Sequence, residues 1–426
     1  MRPENNEPES ESRETASVVG FDESWYRKTY PDIDAAIENG VIPSGLFHYE
    51  RFGRVEGRMP CRFEAQWYAM VYPTATLEAG SSDPIALVRH YLDVGRYRGY
   101  LPYASSRRPA FAAQIPRAFG GLWIDHANAL DLIDGKRAIG RIDADEAELL
   151  RFFVTNGYVK LPEPLAPSIV DRAEEALEAA YAGEVGGLLF ECHAISPVHC
   201  AWDPRLRDFA AKALDLHWWS EAIRDAAFAA PVVDFLQLIF ERPPLASQTL
   251  SFYRGSGQNF HQDSAYVPYS LPLQFAASWI GLEDVAVGAG ELMYAVGSHR
   301  VLPEYLYPGK LRSVAEFARL GADAASVSEA VRGHEAQIAA EIHSRGLKRD
   351  TFLAKRGEVL LWHADLAHGG SPISYARSRK SLVTHYCPAE VAPIYFETNP
   401  SDIRRHGETA SYASGIYGDR AKKFAA

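Results

Sequence analysis

Within Asn259-Phe260-His261-Gln262-Asp263-Ser264-Ala265-Tyr266, an imidazole and a carboxylate stand two positions apart. Alternate residues of an extended chain point the same way, so His261 and Asp263 can reach one metal ion together. They follow a β-rich segment, Gln248–Tyr253. About a hundred residues on, Trp362-His363-Ala364-Asp365-Leu366-Ala367-His368-Gly369 offers a third ligand. His363 and His368 are both candidates, and His363-Ala364-Asp365 repeats the His-x-Asp spacing. Two histidines and one carboxylate with open positions suit a non-haem Fe(II) oxygenase. A His-x-Asp pair by itself is common, so the rest of the chain must support it.

Short strands with glycine turns should carry these residues. Strands are expected over Gln274–Leu282, which contains Trp279, over Glu291–Val296, over Gly357–Trp362 and over Arg379–Tyr386. Gly288-Ala289-Gly290, Gly297-Ser298-His299-Arg300 and His368-Gly369-Gly370-Ser371-Pro372 turn the chain between them. Residues 302–349 read as a helical, charged insertion, a lid over the site. Upstream, Asp143–Thr155 and Ser168–Ala182 read as helices, the second with Ile169, Ala173, Leu177 and Tyr181 on one stripe. With no βαβ rhythm, the pattern predicts a mainly β fold with helices, a double-sheet jelly roll. On Arg379–Tyr386, residues 379, 381, 383 and 385 share a face, which puts Ser381 beside Arg379.

His-Gln-Asp, then Trp279, Gly-x-Leu and Gly-Ser-His, then His368-Gly369 and Arg379 eleven residues on, stand in an order that resembles the phytanoyl-CoA dioxygenase family. The likeness runs from about Ile142 to Pro393. It implies a double-stranded β-helix (cupin-like) domain over 141–396, using Fe(II), 2-oxoglutarate and O2 and releasing succinate and CO2. It implies His261, Asp263 and His368 as iron ligands, so that His363, Asp365 and His299 become structural. Arg379 would pair with the distal carboxylate of 2-oxoglutarate, and Gln262 and Trp279 would contact the cosubstrate. A buried arginine fork suits a carboxylate better than lysine does. Ser381 would donate a second hydrogen bond to that carboxylate, while His385, on the same face, reads as packing. Related halogenases lack the metal-binding carboxylate, so Asp263 points to hydroxylation. One departure stands out: the family often has serine two residues after the distal histidine, and here that place is Gly370, with Ser371 next. Tyr253, Arg254 and Tyr266 flank the ligand pair and are candidate substrate contacts.

The front of the chain is a repeat. Between 21–60 and 63–102, Phe21, Trp25, Tyr26, Tyr30-Pro31, His48-Tyr49, Gly53, Gly57 and Pro60 recur at a constant offset of 42 as Phe63, Trp67, Tyr68, Tyr72-Pro73, His90-Tyr91, Gly95, Gly99 and Pro102. Each copy should form two short helices, around 25–40 and 45–53, and the copies should pack on each other. The pattern resembles repeats found beside bacterial glycosyltransferases, and implies glycan recognition, docking or only packing. His48 and His90 read as structural. Residues 1–20 read as a disordered tail, 104–140 as a linker that ends packed on the next domain, and 397–426 as a C-terminal tail.

The net charge of -11 over 426 residues argues against nucleic acid or an anionic membrane as main partner. No apolar run is long enough to span a membrane, and the polar, acidic start is unlike a signal peptide. Four cysteines without CxxC spacing fit a reducing compartment such as the cytoplasm. Cys192-His193 and His199-Cys200 lack the spacing of a zinc site. The expected function is a dioxygenase that hydroxylates a small molecule or carbohydrate, such as a cell-envelope glycan precursor. An acyl-CoA is an alternative substrate, although no basic cluster stands out to hold CoA phosphates. A non-catalytic glycan-binding protein is a third reading, opposed by the intact cofactor set.

Overall fold

Ser381–Pro388 is buried along its whole length. A strand buried on both faces needs a layer on each side, and this one lies at the centre of a sheet, antiparallel to Pro244–Phe252 on one edge and Ala276–Gly281 on the other. The computed structural model describes residues 21–95, 100, 102–103, 121–125, 129–267, 269, 273–302, 324–374, 377–391 and 403–417. In chain order its strands are β1 Tyr158–Lys160, β2 Phe190–Glu191, β3 Lys212–Leu214, β4 Pro244–Phe252, β5 Ala276–Gly281, β6 Leu292–Ala295, β7 Arg349–Phe352, β8 Val359–His363, β9 His368–Gly370, β10 Ser381–Pro388, β11 Arg404–His406 and β12 Ala410–Tyr412. The larger sheet runs β1-β8-β5-β10-β4-β12-β11, with β3 also on β4 and β2 on β3, and the smaller runs β7-β6-β9. This is the expected double-sheet jelly roll with helices.

Register between the strands builds the interior. Val383 of β10 lies opposite Leu250 of β4 and Trp279 of β5. One row along, His385 lies opposite Gln248 and Ala277, and Ala277 lies opposite Trp362 of β8. Only the methyl of Ala277 separates His385 from Trp362 in that row. Phe252, Trp279, Trp362 and Val383 of the larger sheet cluster with Leu292, Tyr294 and Phe352 of the smaller one.

The flanking helices fall near their expected places, at Ala144–Asn156 and Pro167–Tyr181. The second buries Val170, Ala173, Leu177, Ala180 and Tyr181. Of the expected insertion, Ala324–Ser344 is one helix, and 303–323 lie outside the described residues. Two expected boundaries change. The proposed linker contains a helix, Ala129–Ala138, whose buried Ala129, Ile133 and Lys136 follow helical spacing behind a Ser/Arg/Pro-rich stretch. Trp123, earlier in the linker, donates its indole N–H to the Leu238 carbonyl at 3.1 Å. Residues 404–412, within the expected tail, form β11 and β12, and β12 extends the larger sheet in parallel with β4. Strands of three residues are too short to show a period.

The described residues up to 103, with 134–143, form one compact unit, and those of 121–133 and 144–417 form another. In the first unit, Tyr26 OH lies 3.0 Å from His48 Nδ1, and at the same offset Tyr68 OH lies 3.0 Å from His90 Nδ1. A Cβ on Gly53 would meet Tyr26 OH at 2.3 Å, and one on Gly95 would crowd Tyr68 OH still more closely, at 2.0 Å. Both histidines are thus structural, and both glycines leave room for a tyrosine hydroxyl. The expected first helix of each copy is broken, into Glu23–Thr29 and Pro31–Glu38 and into Ala65–Val71 and Pro73–Glu78. The residue before proline is driven out of the helical region, as Tyr30 and Tyr72 are. Each copy also encloses its aromatics in a cluster of its own, around Tyr26, Ile33 and Tyr49 and around Tyr68, Tyr72 and Tyr91, rather than sharing one core. Among the described residues no disulfide joins the four cysteines, and no helix is long and apolar enough to cross a membrane.

Candidate active site

The site lies where the two sheets face each other. His368 opens β9 of the smaller sheet, and an antiparallel bridge sets the backbone of His261 against it. One residue past Gln262 the chain enters a 3-10 turn, Asp263–Ala265, which aims Asp263 at the same point. Nε2 of His261 and Nε2 of His368 each lie 3.6 Å from Oδ1 of Asp263. The three ligand atoms fall within 4.8 Å of one another, and no other such group of His, Cys, Asp or Glu occurs among the described residues.

Both imidazoles are oriented by a backbone carbonyl. His261 Nδ1 is 2.8 Å from the Asn259 carbonyl, and His368 Nδ1 is 2.9 Å from the Leu366 carbonyl. A carbonyl only accepts, so each Nδ1 carries the proton and each Nε2 presents a lone pair, the form a metal needs. Burial pulls His368 down to about 4, so it is neutral at neutral pH. Burial alone would raise Asp263, but the neighbouring His368 and His385 hold it well below the usual carboxylate range.

The second oxygen of Asp263 is engaged elsewhere. Trp362 donates its indole N–H to Asp263 Oδ2 at 2.9 Å, and His385 Nε2 lies 3.4 Å from the same oxygen. Gln248, the cross-strand neighbour of His385, accepts from His385 Nδ1 at 3.0 Å. Oδ2 is therefore tied to the larger sheet, while Oδ1 is left facing the two histidines.

Arg379 lines the same cleft as the three ligand atoms and is 2 % exposed. Its guanidinium lies 5.4 Å from the Phe252 ring centre and 5.5 Å from that of Trp279. It donates to the Gly290 carbonyl at 2.6 Å and to Ser381 Oγ at 3.5 Å, and its Nε has no partner. Burial lowers it to about 10, so it remains a cation at neutral pH. No carboxylate of the described residues comes within ion-pair distance of it. Ser381 thus stands beside Arg379 as the strand period predicts.

Other expectations change. Gln262 points away from the cleft, because the alternation that brings His261 and Asp263 together turns the residue between them outward. Its amide donates to the Asp365 carbonyl at 3.0 Å. The same alternation places Phe252 in the cleft and Tyr253 outside it, against Tyr181 and beneath Arg207. Arg254 donates to the Arg207 carbonyl at 2.5 Å. Tyr266 stacks edge-on against His261 and packs with Val327 and Val331 of the helix Ala324–Ser344 rather than lining the cleft. His363 lies 2.7 Å from Asp125 and accepts from the Asp365 backbone, away from the ligand group, and His299 Nε2 donates to the Val154 carbonyl at 3.2 Å. Residues not anticipated also line the cleft, among them Leu250, Phe252, Ser256, Gln258, Trp362 and His385. Gly370 stands where a Cβ would meet Ser256 Oγ at 2.8 Å and the Gly257 nitrogen at 2.9 Å, and Ser371 donates instead to Glu291.

Residues 153–381, more than half of the chain, match the sequence model of phytanoyl-CoA dioxygenase (PhyH). The chain belongs to the phytanoyl-CoA dioxygenase family. It is therefore a non-haem Fe(II)- and 2-oxoglutarate-dependent oxygenase, and the locked histidines, the half-engaged carboxylate and the buried arginine fit that cofactor pair. No curated protein matches the chain. Solved structures similar to it include SnoK, a non-heme alpha ketoglutarate dependent carbocyclase from nogalamycin biosynthesis, at 17% identity and TM-score 0.43 over 58% of this chain and 85% of that one. Another is the epimerase SnoN in complex with Fe3+, alpha ketoglutarate and nogalamycin RO, at 18% identity and TM-score 0.44 over 65% of this chain and 97% of that one. A third is EctD from S. alaskensis, at 17% identity and TM-score 0.39 over 58% of this chain and 78% of that one.

Proposed function

We propose that His261 Nε2, Asp263 Oδ1 and His368 Nε2 hold the iron, that Arg379 and Ser381 hold the distal carboxylate of 2-oxoglutarate, and that the reaction hydroxylates a small molecule. The observation that carries this is Arg379: a buried guanidinium with no carboxylate within ion-pair distance, lining the same cleft as the three ligand atoms. An unpaired buried charge costs several kcal/mol, and an incoming carboxylate offsets that cost. Bound iron with 2-oxoglutarate supplies O2 activation, one oxygen atom entering succinate as CO2 leaves and the other entering the product as a hydroxyl. The chain's own residues position and shield. Phe252 and Trp279 flank the guanidinium and keep water from it, which strengthens its attraction for a carboxylate. Trp362 and His385 hold Asp263 so that one oxygen faces the metal position.

For substrate, we infer a carbohydrate or glycan precursor handled in the cytoplasm. Support comes from the repeats of 21–103, with their likeness to modules beside glycosyltransferases, which would dock the enzyme to a glycan or a partner protein. The test is aerobic incubation with Fe(II) and 2-oxoglutarate against sugars, nucleotide sugars and acyl-CoAs. Succinate formed in step with a hydroxylated sugar supports the reading. Turnover with acyl-CoA alone would replace the substrate class, and absence of iron binding would sink the enzyme assignment.

A further inference from the structure

Glu291 is a buried carboxylate that directly follows a glycine turn, and that turn reaches Arg379. Its side chain folds back on the turn. Gly288 N–H donates to Glu291 Oε1 at 2.6 Å, Gly290 N–H donates to Oε2 at 3.1 Å, and the Ser371 hydroxyl donates to Oε2 as well. Burial would raise the carboxyl, but the hydrogen bonds from Ser371 and the turn hold it below its ordinary value, so it is an anion at neutral pH. Main chain ties the same stretch again: Ser371 N–H donates to the Glu291 carbonyl at 2.8 Å, and Ser374 N–H to the Gly288 carbonyl at 2.9 Å. Gly290 is where such holding matters. Its φ of +86° lies in the left-handed region, which glycine enters freely, and its carbonyl accepts from Arg379 Nη1 at 2.6 Å.

We infer that Glu291 is a positioning residue for Arg379: it fixes the turn so that the Gly290 carbonyl holds one arm of the guanidinium and leaves the rest of the fork open to the distal carboxylate of 2-oxoglutarate. This rests on the reading of Arg379 given above. An arginine side chain has many rotamers to lose, and the contact with Ser381 Oγ, at 3.5 Å, is the longer of its two hydrogen bonds. The aim of the fork therefore depends on the Gly290 carbonyl. Glu291 acts without competing for the fork. A loose glutamate beside a guanidinium would pair with it and fill the place of the cosubstrate. Here both carboxylate oxygens are taken by donors of the turn and by Ser371. The charge of Glu291 by itself works against the cosubstrate, since like charges repel. Losing the charge alone would tighten 2-oxoglutarate, and losing the position would weaken it, so the direction of change separates the two.

The test uses the full chain without O2. Fe(II) is titrated into the metal-free protein, then 2-oxoglutarate or 2-oxobutyrate into the Fe(II) form, followed by the visible charge-transfer absorption of the chelate. 2-Oxobutyrate has the same keto-acid end and no distal carboxylate, so it gives Arg379 nothing to hold. Glu291→Ala should weaken 2-oxoglutarate about tenfold, the scale of one hydrogen bond to a charged group, and leave the affinities for Fe(II) and 2-oxobutyrate unchanged. Glu291→Gln keeps an acceptor for Gly288 N–H but sets an N–H against that of Gly290. It should show a smaller loss of the same kind, and it carries the test if alanine unfolds the turn. Tighter 2-oxoglutarate binding would show a charge without a positioning role, unchanged binding would show neither, and equal losses for both acids would make Glu291 structural only. Each of these overturns the inference. Arg379→Ala in the same titration separates the two claims. If that variant loses 2-oxoglutarate while both Glu291 variants keep it, only the Glu291 inference fails. If Arg379→Ala binds 2-oxoglutarate like wild type, the reading of Arg379 fails, and the inference fails with it.

Discussion

His261 and His368 are joined through their backbones in both directions: His261 N–H donates to the His368 carbonyl at 2.9 Å, and His368 N–H donates to the His261 carbonyl at 3.0 Å. The two imidazoles lie 4.4 Å apart between ring centres, on segments joined by this bridge. Each ring is then turned by the carbonyl two residues before it. A site built this way is preorganised, and it can lose a ligand without losing its frame.

Asp263→Ala should therefore lower iron affinity far more than it lowers folding stability. Loss of an outer partner of a metal ligand typically costs 10- to 100-fold, so loss of the ligand itself should exceed about a hundredfold. The metal-free protein should lose only about 1 kcal/mol, the hydrogen bond from Trp362 that goes with the carboxylate, since the backbone bridge survives. Equilibrium dialysis with Fe(II) beside a thermal melt checks both. Normal iron uptake by the variant would remove Asp263 from the ligand set.

Trp362→Phe isolates the hold on the second carboxylate oxygen. Phenylalanine retains an aromatic ring but loses the N–H that reaches Asp263 Oδ2 at 2.9 Å. Iron affinity should fall about 10- to 100-fold, while stability falls by about 1 kcal/mol, the usual worth of one hydrogen bond. Competition against a calibrated chelator measures the first quantity and denaturant unfolding the second. A large loss of stability with iron affinity intact would make Trp362 a packing residue only.

How far this was legible in the chain follows from range. His261, Asp263 and the pairing of Arg379 with Ser381 are readable because a period of two acts between near neighbours. The same period excludes Gln262 and Tyr253 from the cleft, so that signal was present; the family order outweighed it for Gln262, and nearness to the ligand pair outweighed it for Tyr253. Trp362 and His385 meet at Asp263 only because β8, β5 and β10 align Trp362, Ala277 and His385 in one row. Such a register joins segments distant in sequence and has no local signature. Gly370 was visible as a departure, but its reason, the Ser256–Gln258 loop lying against it, is again a contact between distant segments.

Arg379→Met should separate binding from folding. Without ligand, the change removes a buried cation that has no anionic partner, so stability should hold or rise. The wild-type protein should gain about 2.7 kcal/mol from 2-oxoglutarate at a hundred times its dissociation constant, and the variant should gain almost none. Thermal melts of the Fe(II) form with and without 2-oxoglutarate read both effects. A variant still stabilised like wild type would place the cosubstrate elsewhere.

Asp215 gives a pH dependence independent of the iron site. It is fully buried, accepts from Thr249 N–H at 3.0 Å and from Ser414 Oγ at 2.6 Å, and faces His217 Nδ1 only at 4.0 Å. Burial pushes its carboxyl up to about 7. Unfolded, it should titrate near 3.9, so between these values the native state holds a proton that the unfolded state has released. Its contribution to stability is thus complete below about pH 4 and is lost as pH rises towards 7. His217, pulled down to about 4 by burial, acts in the opposite sense below about 6.5, so the wild-type profile conceals both slopes. The comparison with Asp215→Asn cancels His217 and leaves Asp215 alone. Relative to wild type, the variant should gain stability between pH 5 and pH 8, by at most about 2.7 kcal/mol, two pKa units. Denaturant unfolding of both proteins at the two pH values measures this double difference. A value near zero would show that Asp215 is already ionised in the native protein at pH 5.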